Sequence, residues 1–229
     1  MDYAAVTEQF IAANFPRADI AIVAGSTSRD ERTATSDIDL LLIGEALFDD
    51  GRTSAAATYY FEGEIFEVFA YTPSGYDEWA QRDIERHRPV IVHMLIEGIS
   101  IRQDASLEAL RARWGAVLEA GPELTEEESR LRRYIITDAL DDLRDASDPL
   151  ELQVLASALF ERTAELILLE AGHWIGTGKW LPRRLRVFDS ERTEQLTTPL
   201  LRDDYAAFAD RVEAELVRAG GRVQAGFVR

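Results

Sequence analysis

The stretch Ala21–Ile43, AIVAGSTSRDERTATSDIDLLLI, decides the fold of this chain. An apolar run, Ile20–Ala24, enters it and ends at Gly25 and Ser26, which predicts a buried strand followed by a tight turn. Small and polar residues then lead into a second apolar run, Leu40–Ile43, which predicts a second strand. The sequence therefore predicts two neighbouring strands joined by a polar connection.

Two carboxylates stand where the second strand begins. Asp37 and Asp39 flank Ile38, and alternate residues of a strand share a face. We therefore expect both aspartates to project to one side, while Ile38 points to the other. Carboxylate pairs of this kind favour a hard divalent cation such as Mg²⁺ over packing in an apolar core.

The combination of these features resembles the signature of the nucleotidyltransferase superfamily. Gly25-Ser26, a short spacer and Asp37-x-Asp39 stand between two apolar strands, as in DNA polymerase beta, the minimal nucleotidyltransferases and the aminoglycoside nucleotidyltransferases. Members bind Mg-ATP or another nucleoside triphosphate and transfer the nucleoside monophosphate to an acceptor. The resemblance implies that Asp37 and Asp39 are catalytic metal ligands and that Gly25 and Ser26 hold the triphosphate.

The segment after Gly25 is predicted to begin a helix, with Ser26 or Thr27 near its N-cap. The free amide groups of a helix start suit a triphosphate, and Arg29 is a candidate for a charge-assisted contact to it. The alternative is a plain turn without a ligand. The two aspartates that follow favour the phosphate-binding interpretation.

A third carboxylate lies in a predicted hairpin, whose arms Thr58–Glu62 and Ile65–Tyr71 flank Gly63. Glu67 interrupts the apolar second arm. Phe66–Phe69 resembles the element that carries the third carboxylate of the superfamily. In the streptomycin and spectinomycin adenylyltransferases the matching glutamate is thought to be the general base, and in other members it helps to hold metal. The alternative is a solvated glutamate on an edge strand.

The chain is predicted to form two domains, divided at Gly121-Pro122. Residues 1–120 are expected to form an α+β catalytic domain, a mixed β-sheet with flanking helices. A short helix is expected within residues 45–57. Residues 121–229 are expected to form an all-α helical bundle, with helical patterns over residues 125–146, 150–171 and 203–219.

A glycine-rich connection between two predicted helices contains Lys179. Gly172–Arg184 mixes aromatic residues, glycines and cations, but its spacing is not that of a P-loop. It resembles the turn in the helical domain of aminoglycoside nucleotidyltransferases that carries a phosphate-binding lysine. The alternative is a helix connection with a solvated lysine.

The overall composition limits the partners. Among the 229 residues, 42 acidic side chains against 25 basic ones give a net charge of −17. This charge repels nucleic acid and attracts a polycationic small molecule, unless it serves solubility alone. The sequence has no cysteine, no basic leader and no apolar run long enough to span a bilayer, so we expect a cytoplasmic protein.

These features predict a Mg²⁺-dependent nucleotidyltransferase that moves AMP from ATP to a hydroxyl of a small, cationic acceptor such as an aminoglycoside. Two alternatives stay open. One is a protein-modifying AMP transferase of the antitoxin type, although such proteins are usually shorter and lack a long helical half. The other is a nucleotide-binding regulator without turnover, which the presence of all three carboxylates disfavours.

Overall fold

The computed structural model describes residues 3–29, 32–33 and 35–224. The chain divides into two compact units, Met1–Ala120 and Gly121–Arg229. The first unit holds a mixed sheet of five strands with flanking helices, and the second is helical. The predicted fold class is confirmed.

The first unit alternates helices with strands in the order α1, β1, α2, β2, β3, β4, α3, α4, β5 and α5. Their bounds are α1 Tyr3–Asn14, β1 Ile20–Ala24, α2 Gly25–Ser28, β2 Ile38–Ile43, β3 Ser54–Phe61, β4 Glu64–Tyr71, α3 Pro73–Glu85, α4 Val90–Glu97, β5 Ile99–Arg102 and α5 Leu107–Ala120.

The strands lie in the order β3-β4-β2-β1-β5. Strand β2 pairs parallel with β4, whereas β1 pairs antiparallel with both β2 and β5, and β3 pairs antiparallel with β4. The two predicted strands on either side of the polar connection are therefore direct neighbours. The parallel pair brings the Asp-x-Asp strand beside the strand of the third carboxylate.

Both faces of the sheet are covered by apolar side chains. On one face, Leu41 and Ile43 of β2 pack with residues of α3, α4 and α5. On the other, Leu40 and Leu42 pack with residues of α1, where the rings of Phe10 and Phe66 stack at a centroid distance of 4.2 Å. Burial on both sides explains why β1 and β2 are nearly continuous apolar runs.

The prediction of a short helix within residues 45–57 is wrong, because these residues, all of which the structure describes, form turns and the start of β3. Strand β3 begins at Ser54 and includes the three alanines Ala55, Ala56 and Ala57. Their high helix propensity is overridden because β3 pairs with β4 along its whole length.

Pro89 occupies the N-cap position of α4, which is thereby separated from α3. Asp83 of α3 accepts a hydrogen bond from the backbone N–H of Ile91 at 3.2 Å. Burial nevertheless raises the pKa of the Asp83 carboxyl above its ordinary value, against the opposing effect of hydrogen bonds from the backbone of Ile91 and Val90. The native structure thus makes the charged form of this side chain less favourable than it is in the unfolded chain.

The second unit packs its helices around one apolar core that includes Leu140, Leu159 and Phe208. Its charged side chains pair near this core, and the buried carboxylate of Glu165 accepts from Arg132 at 3.1 Å. The helices are α6 Glu126–Asp145, α7 Pro149–Glu170, α8 Trp180–Phe188, α9 Ser190–Leu200 and α10 Tyr205–Arg218. Within the described residues, no helix of either unit combines the length and the apolar character that crossing a bilayer requires.

Candidate active site

Asp39 and Glu67 are direct partners in the parallel register of β2 and β4. Asp39 shares a face of its strand with Leu41 and Ile43, and Glu67 shares a face with Phe69 and Tyr71. Both carboxylates therefore lie on the side of the sheet that packs against α3, α4 and α5, and both are half-buried.

Asp37 completes a group of three carboxylates, although it lies just before β2 rather than within it. One carboxylate oxygen of each of Asp37, Asp39 and Glu67 lies within 4.8 Å of the others, and all three side chains are half-buried. The structure thus brings together the three acidic residues that the sequence indicated. We call this group the carboxylate triad.

Gly25 lies against the carboxylate triad. It follows β1, has a φ of +67°, and a β-carbon placed on it would lie 1.7 Å from Oδ2 of Asp39. Only glycine accepts this conformation without strain and leaves room for the carboxylate. The sequence suggested that Gly25 allows a ligand to approach the backbone, and the structure adds that it allows Asp39 to do so.

The helix predicted after β1 is present, but it is a single turn, and its capping differs from the prediction. Ala24 occupies the N-cap position without a side-chain hydrogen bond, so Ser26 and Thr27 lie inside α2 rather than at its cap. The hydroxyl of Thr27 instead donates to the backbone carbonyl of Asp37 at 3.3 Å. Arg29 follows the helix and is exposed. Because α2 is so short, any phosphate binding here depends on individual N–H and hydroxyl donors rather than on a helix dipole.

The sequence analysis missed Thr58, which is the partner of Glu67 on β3. Cross-strand partners share a face, so Thr58 adds an exposed hydroxyl beside the carboxylate triad. The signal in the sequence was Gly63 between the two arms; in the structure Glu62 and Gly63 form a turn with positive φ at both positions, as in a two-residue type I′ turn. Such a turn fixes the register of the whole hairpin.

Lys179 lies in the second unit, at the N-cap position of α8. It is exposed, and it is the only lysine in the sequence. The connection predicted over Gly172–Arg184 is therefore shorter than expected, because α8 begins directly after Lys179. Whether Lys179 contacts a nucleotide stays a prediction.

Comparison with known proteins gives a match at the level of fold. No protein-family model matches this sequence, and no curated protein is significantly similar to it. A solved structure of a nucleotidyltransferase-like protein from Exiguobacterium sibiricum 255-15 superimposes with a TM-score of 0.52. The alignment covers 94% of this chain and 74% of that one, at 16% sequence identity. The chain has a nucleotidyltransferase-like fold.

The chemistry of the carboxylate triad fits a divalent cation within this nucleotidyltransferase-like fold. Three carboxylates held within 4.8 Å of one another repel each other unless a cation compensates them. Their ligand atoms are all oxygens, which Mg²⁺ and Mn²⁺ prefer. The half-buried position leaves the triad partly accessible to solvent.

Proposed function

We propose that this protein is a Mg²⁺-dependent nucleotidyltransferase that moves a nucleoside monophosphate, AMP from ATP, to a hydroxyl group of a small acceptor. One observation carries the proposal: the carboxylate triad is assembled from β2 and β4 of a nucleotidyltransferase-like fold. Asp37 and Asp39 hold the cation. When bound, Mg²⁺ neutralises negative charge on the phosphates and on the departing pyrophosphate.

The triphosphate lies beside Gly25 in this proposal. The backbone of Gly25 and the hydroxyl and backbone N–H of Ser26 donate to the β- and γ-phosphates, and Arg29 adds a charge-assisted contact. Lys179 is assigned a further phosphate contact on the strength of its sequence resemblance alone. A positive charge at the triphosphate stabilises the leaving group, where negative charge accumulates during the transfer.

Glu67 acts as the general base. Its carboxylate accepts the proton of the acceptor hydroxyl, whose oxygen attacks the α-phosphorus of the nucleotide. A new P–O bond to the acceptor forms as the bond between the α-phosphorus and the bridging oxygen breaks, and pyrophosphate leaves. The direct pairing of Glu67 with Asp39 supports this role, because it places the base next to a cation ligand.

The acceptor is proposed to be a hydroxylated polycation such as an aminoglycoside. The net charge of −17 favours association with a positively charged molecule over association with nucleic acid. The helical second unit agrees with the outline of the aminoglycoside enzymes that the sequence resembles.

The proposal is tested by incubating the protein with Mg²⁺, each of the four nucleoside triphosphates and a panel of aminoglycosides. Pyrophosphate release and acceptor mass are measured together, with the Asp37→Asn variant as the control. Pyrophosphate release with a nucleotide-sized mass increase on one acceptor supports the proposal. Labelling of a protein instead of the acceptor favours the antitoxin type, and nucleotide binding without pyrophosphate release favours a regulator.

A further inference from the structure

The guanidinium of Arg32 joins several segments around the start of β2. Its Nη2 donates to the backbone carbonyl of Ser36 at 2.9 Å and to Oε2 of Glu64 at 2.6 Å. Its Nη1 lies 3.5 Å from the hydroxyl oxygen of Thr27. The side chains of Arg32 and Glu64 are only 17% and 14% exposed, so this ion pair is largely shielded from water.

The face of the same guanidinium is covered as well. Its Cζ lies 4.4 Å from the centroid of the Tyr3 ring, a distance at which an aromatic ring attracts a cation. Arg32 is thus fixed at its edges by hydrogen bonds and on its plane by an aromatic ring. A planar donor held in this way defines the positions of its partners more closely than a lysine could.

Two of the polar partners of Arg32 adjoin Asp37, and the third lies on the strand that carries Glu67. Ser36 directly precedes Asp37, and Thr27 donates to the carbonyl of Asp37. Glu64 begins β4, the strand that carries Glu67. The segment before β2 and the start of β4 are therefore tied to one another through a single side chain.

We propose that Arg32 is a positioning residue for the cation site, which fixes the segment that carries Asp37 and thereby sets the affinity of the carboxylate triad for a divalent cation. The proposal rests on the function proposed above, since it assigns the triad to a cation. Arg32 itself is not a ligand. It acts through the Ser36 carbonyl, Thr27 and Glu64.

The positioning role and simple electrostatics predict opposite changes in cation affinity when Arg32 is removed. The direction of the measured change therefore tests the proposal. Arg32 is positive, so removing it without changing the geometry strengthens the attraction between the carboxylate triad and a cation. If Arg32 positions the triad, its removal weakens cation binding in spite of the lost positive charge. Changes to residues that orient metal ligands typically lower metal affinity about ten- to a hundredfold.

The experiment measures Mn²⁺ binding to the whole protein without nucleotide, by the loss of the electron paramagnetic resonance signal of free Mn²⁺. We expect Arg32→Ala to bind Mn²⁺ about ten- to a hundredfold more weakly than the wild type. Arg32→Lys, which keeps the charge, should recover part of the affinity. The double variant Arg32→Ala/Glu64→Gln removes one positive and one negative charge, so the net charge near the site is unchanged. Its affinity for Mn²⁺ should stay as low as that of Arg32→Ala.

The matched control is Arg102→Ala. Arg102 of β5 holds Glu8 of α1 through its Nη2 at 2.6 Å and through its Nε at 3.0 Å, with 22% of its side chain exposed. This pair lies at the other edge of the sheet from the β3–β4 hairpin. We expect Arg102→Ala to lower the melting temperature without changing Mn²⁺ affinity.

Unchanged or stronger Mn²⁺ binding in folded Arg32→Ala overturns the positioning role, as does an equal loss in Arg102→Ala. Asp37→Asn separates the two proposals. If Asp37→Asn loses Mn²⁺ binding and Arg32→Ala does not, the cation site stands and the positioning role fails. If Asp37→Asn binds Mn²⁺ normally, both fail. Circular dichroism checks folding, and Arg32→Gln, which keeps a shorter donor, replaces Arg32→Ala if that variant does not fold.

Discussion

The carboxylate of Asp39 lies where a side chain on Gly25 would be, at the edge of the candidate site. Any other residue at position 25 would therefore clash with this carboxylate. The clash is with Oδ2 itself, at 1.7 Å from a β-carbon on residue 25. The backbone φ of +67° also disfavours any residue other than glycine. The conformation of Gly25, in the predicted phosphate-binding turn, is thus what allows Asp39 of β2 to take its place in the carboxylate triad.

Gly25→Ala should displace Asp39 and weaken Mn²⁺ binding by about tenfold or more, because one of the two proposed cation ligands moves away. The matched control is Gly51→Ala, at a φ of +76° with no atom within 4 Å of the added carbon. Both variants carry the backbone strain of roughly 1–2 kcal/mol, but only Gly25→Ala carries the clash. Mn²⁺ titration and thermal unfolding of both proteins measure the difference. Equal Mn²⁺ affinities in the two variants would contradict the coupling.

Asp37→Asn and Asp39→Asn should each abolish Mg²⁺-dependent ATP binding while the fold remains intact. Each substitution removes one ligand charge from the carboxylate triad and keeps the size of the side chain. Isothermal titration with Mg-ATP measures the loss, and circular dichroism checks the fold. Asp50→Asn is the control, since Asp50 pairs with Arg52 in an exposed loop. Wild-type ATP affinity in both site variants would rule out the cation assignment.

Glu67→Gln should bind Mg-ATP almost as the wild type does and lose turnover by about 10²–10⁴-fold, because an amide cannot accept the acceptor proton. Pyrophosphate release under saturating ATP measures the rate, and titration measures the affinity. Glu62→Gln, in the exposed turn of the same hairpin, is the control. A collapse of Mg-ATP binding in Glu67→Gln would instead make Glu67 a cation ligand.

Lys179→Ala should weaken ATP binding about ten- to a hundredfold and leave AMP binding unchanged, because a charge-assisted contact contributes roughly 1.5–3 kcal/mol and AMP lacks the β- and γ-phosphates. Arg186→Ala, an exposed cation on α8, is the control. Since Lys179 is the only lysine, ATP should also protect it selectively from an amine-reactive reagent, as read by mass spectrometry. Equal ATP affinity in Lys179→Ala and the wild type would leave Lys179 without a role in nucleotide binding.

Asp83→Asn should increase the free energy of unfolding at pH 7. Burial raises the pKa of Asp83 in the native state, so its ionised form opposes folding once the pH exceeds the ordinary value of 3.8. The advantage of the variant should therefore shrink as the pH falls, and disappear when wild-type Asp83 is protonated in both states. Urea unfolding at several pH values measures this trend. Asp50→Asn should behave oppositely, because hydrogen bonds from Arg52 lower the pKa of Asp50.

Local pattern was enough to find the elements of the candidate site. The apolar runs predicted β1 and β2, and the turn at Gly63 predicted the β3–β4 hairpin, all of which are present. The alternation within β4 placed Glu67 on the face that it occupies. These features depend on neighbours a few residues away, which the sequence displays directly.

The pairing between elements far apart in the chain could not be predicted from local sequence patterns. Nothing local in the sequence indicates that β2 lies parallel to β4, which is the contact that joins Asp39 to Glu67. The partners of Arg32 on α1, α2 and β4 were hidden for the same reason. Helices α8 and α9 were missed because glycines, Pro182 and Pro199 interrupt the apolar periodicity of this region.

The carboxylate triad forms only when β2 and β4 pair in their native register. A cation at the triad would therefore stabilise this register relative to shifted ones. A slip by one residue sets Asp39 beside Phe66 or Val68, whose side chains belong to the opposite face of the sheet. The slipped chain then no longer brings the oxygens of Glu67 to those of Asp37 and Asp39. Because a ligand stabilises the conformation that binds it best, a cation bound at the intact carboxylate triad would favour the correctly paired sheet over its competitors. The ion proposed for catalysis thus also favours the correct pairing of the strands that bind it.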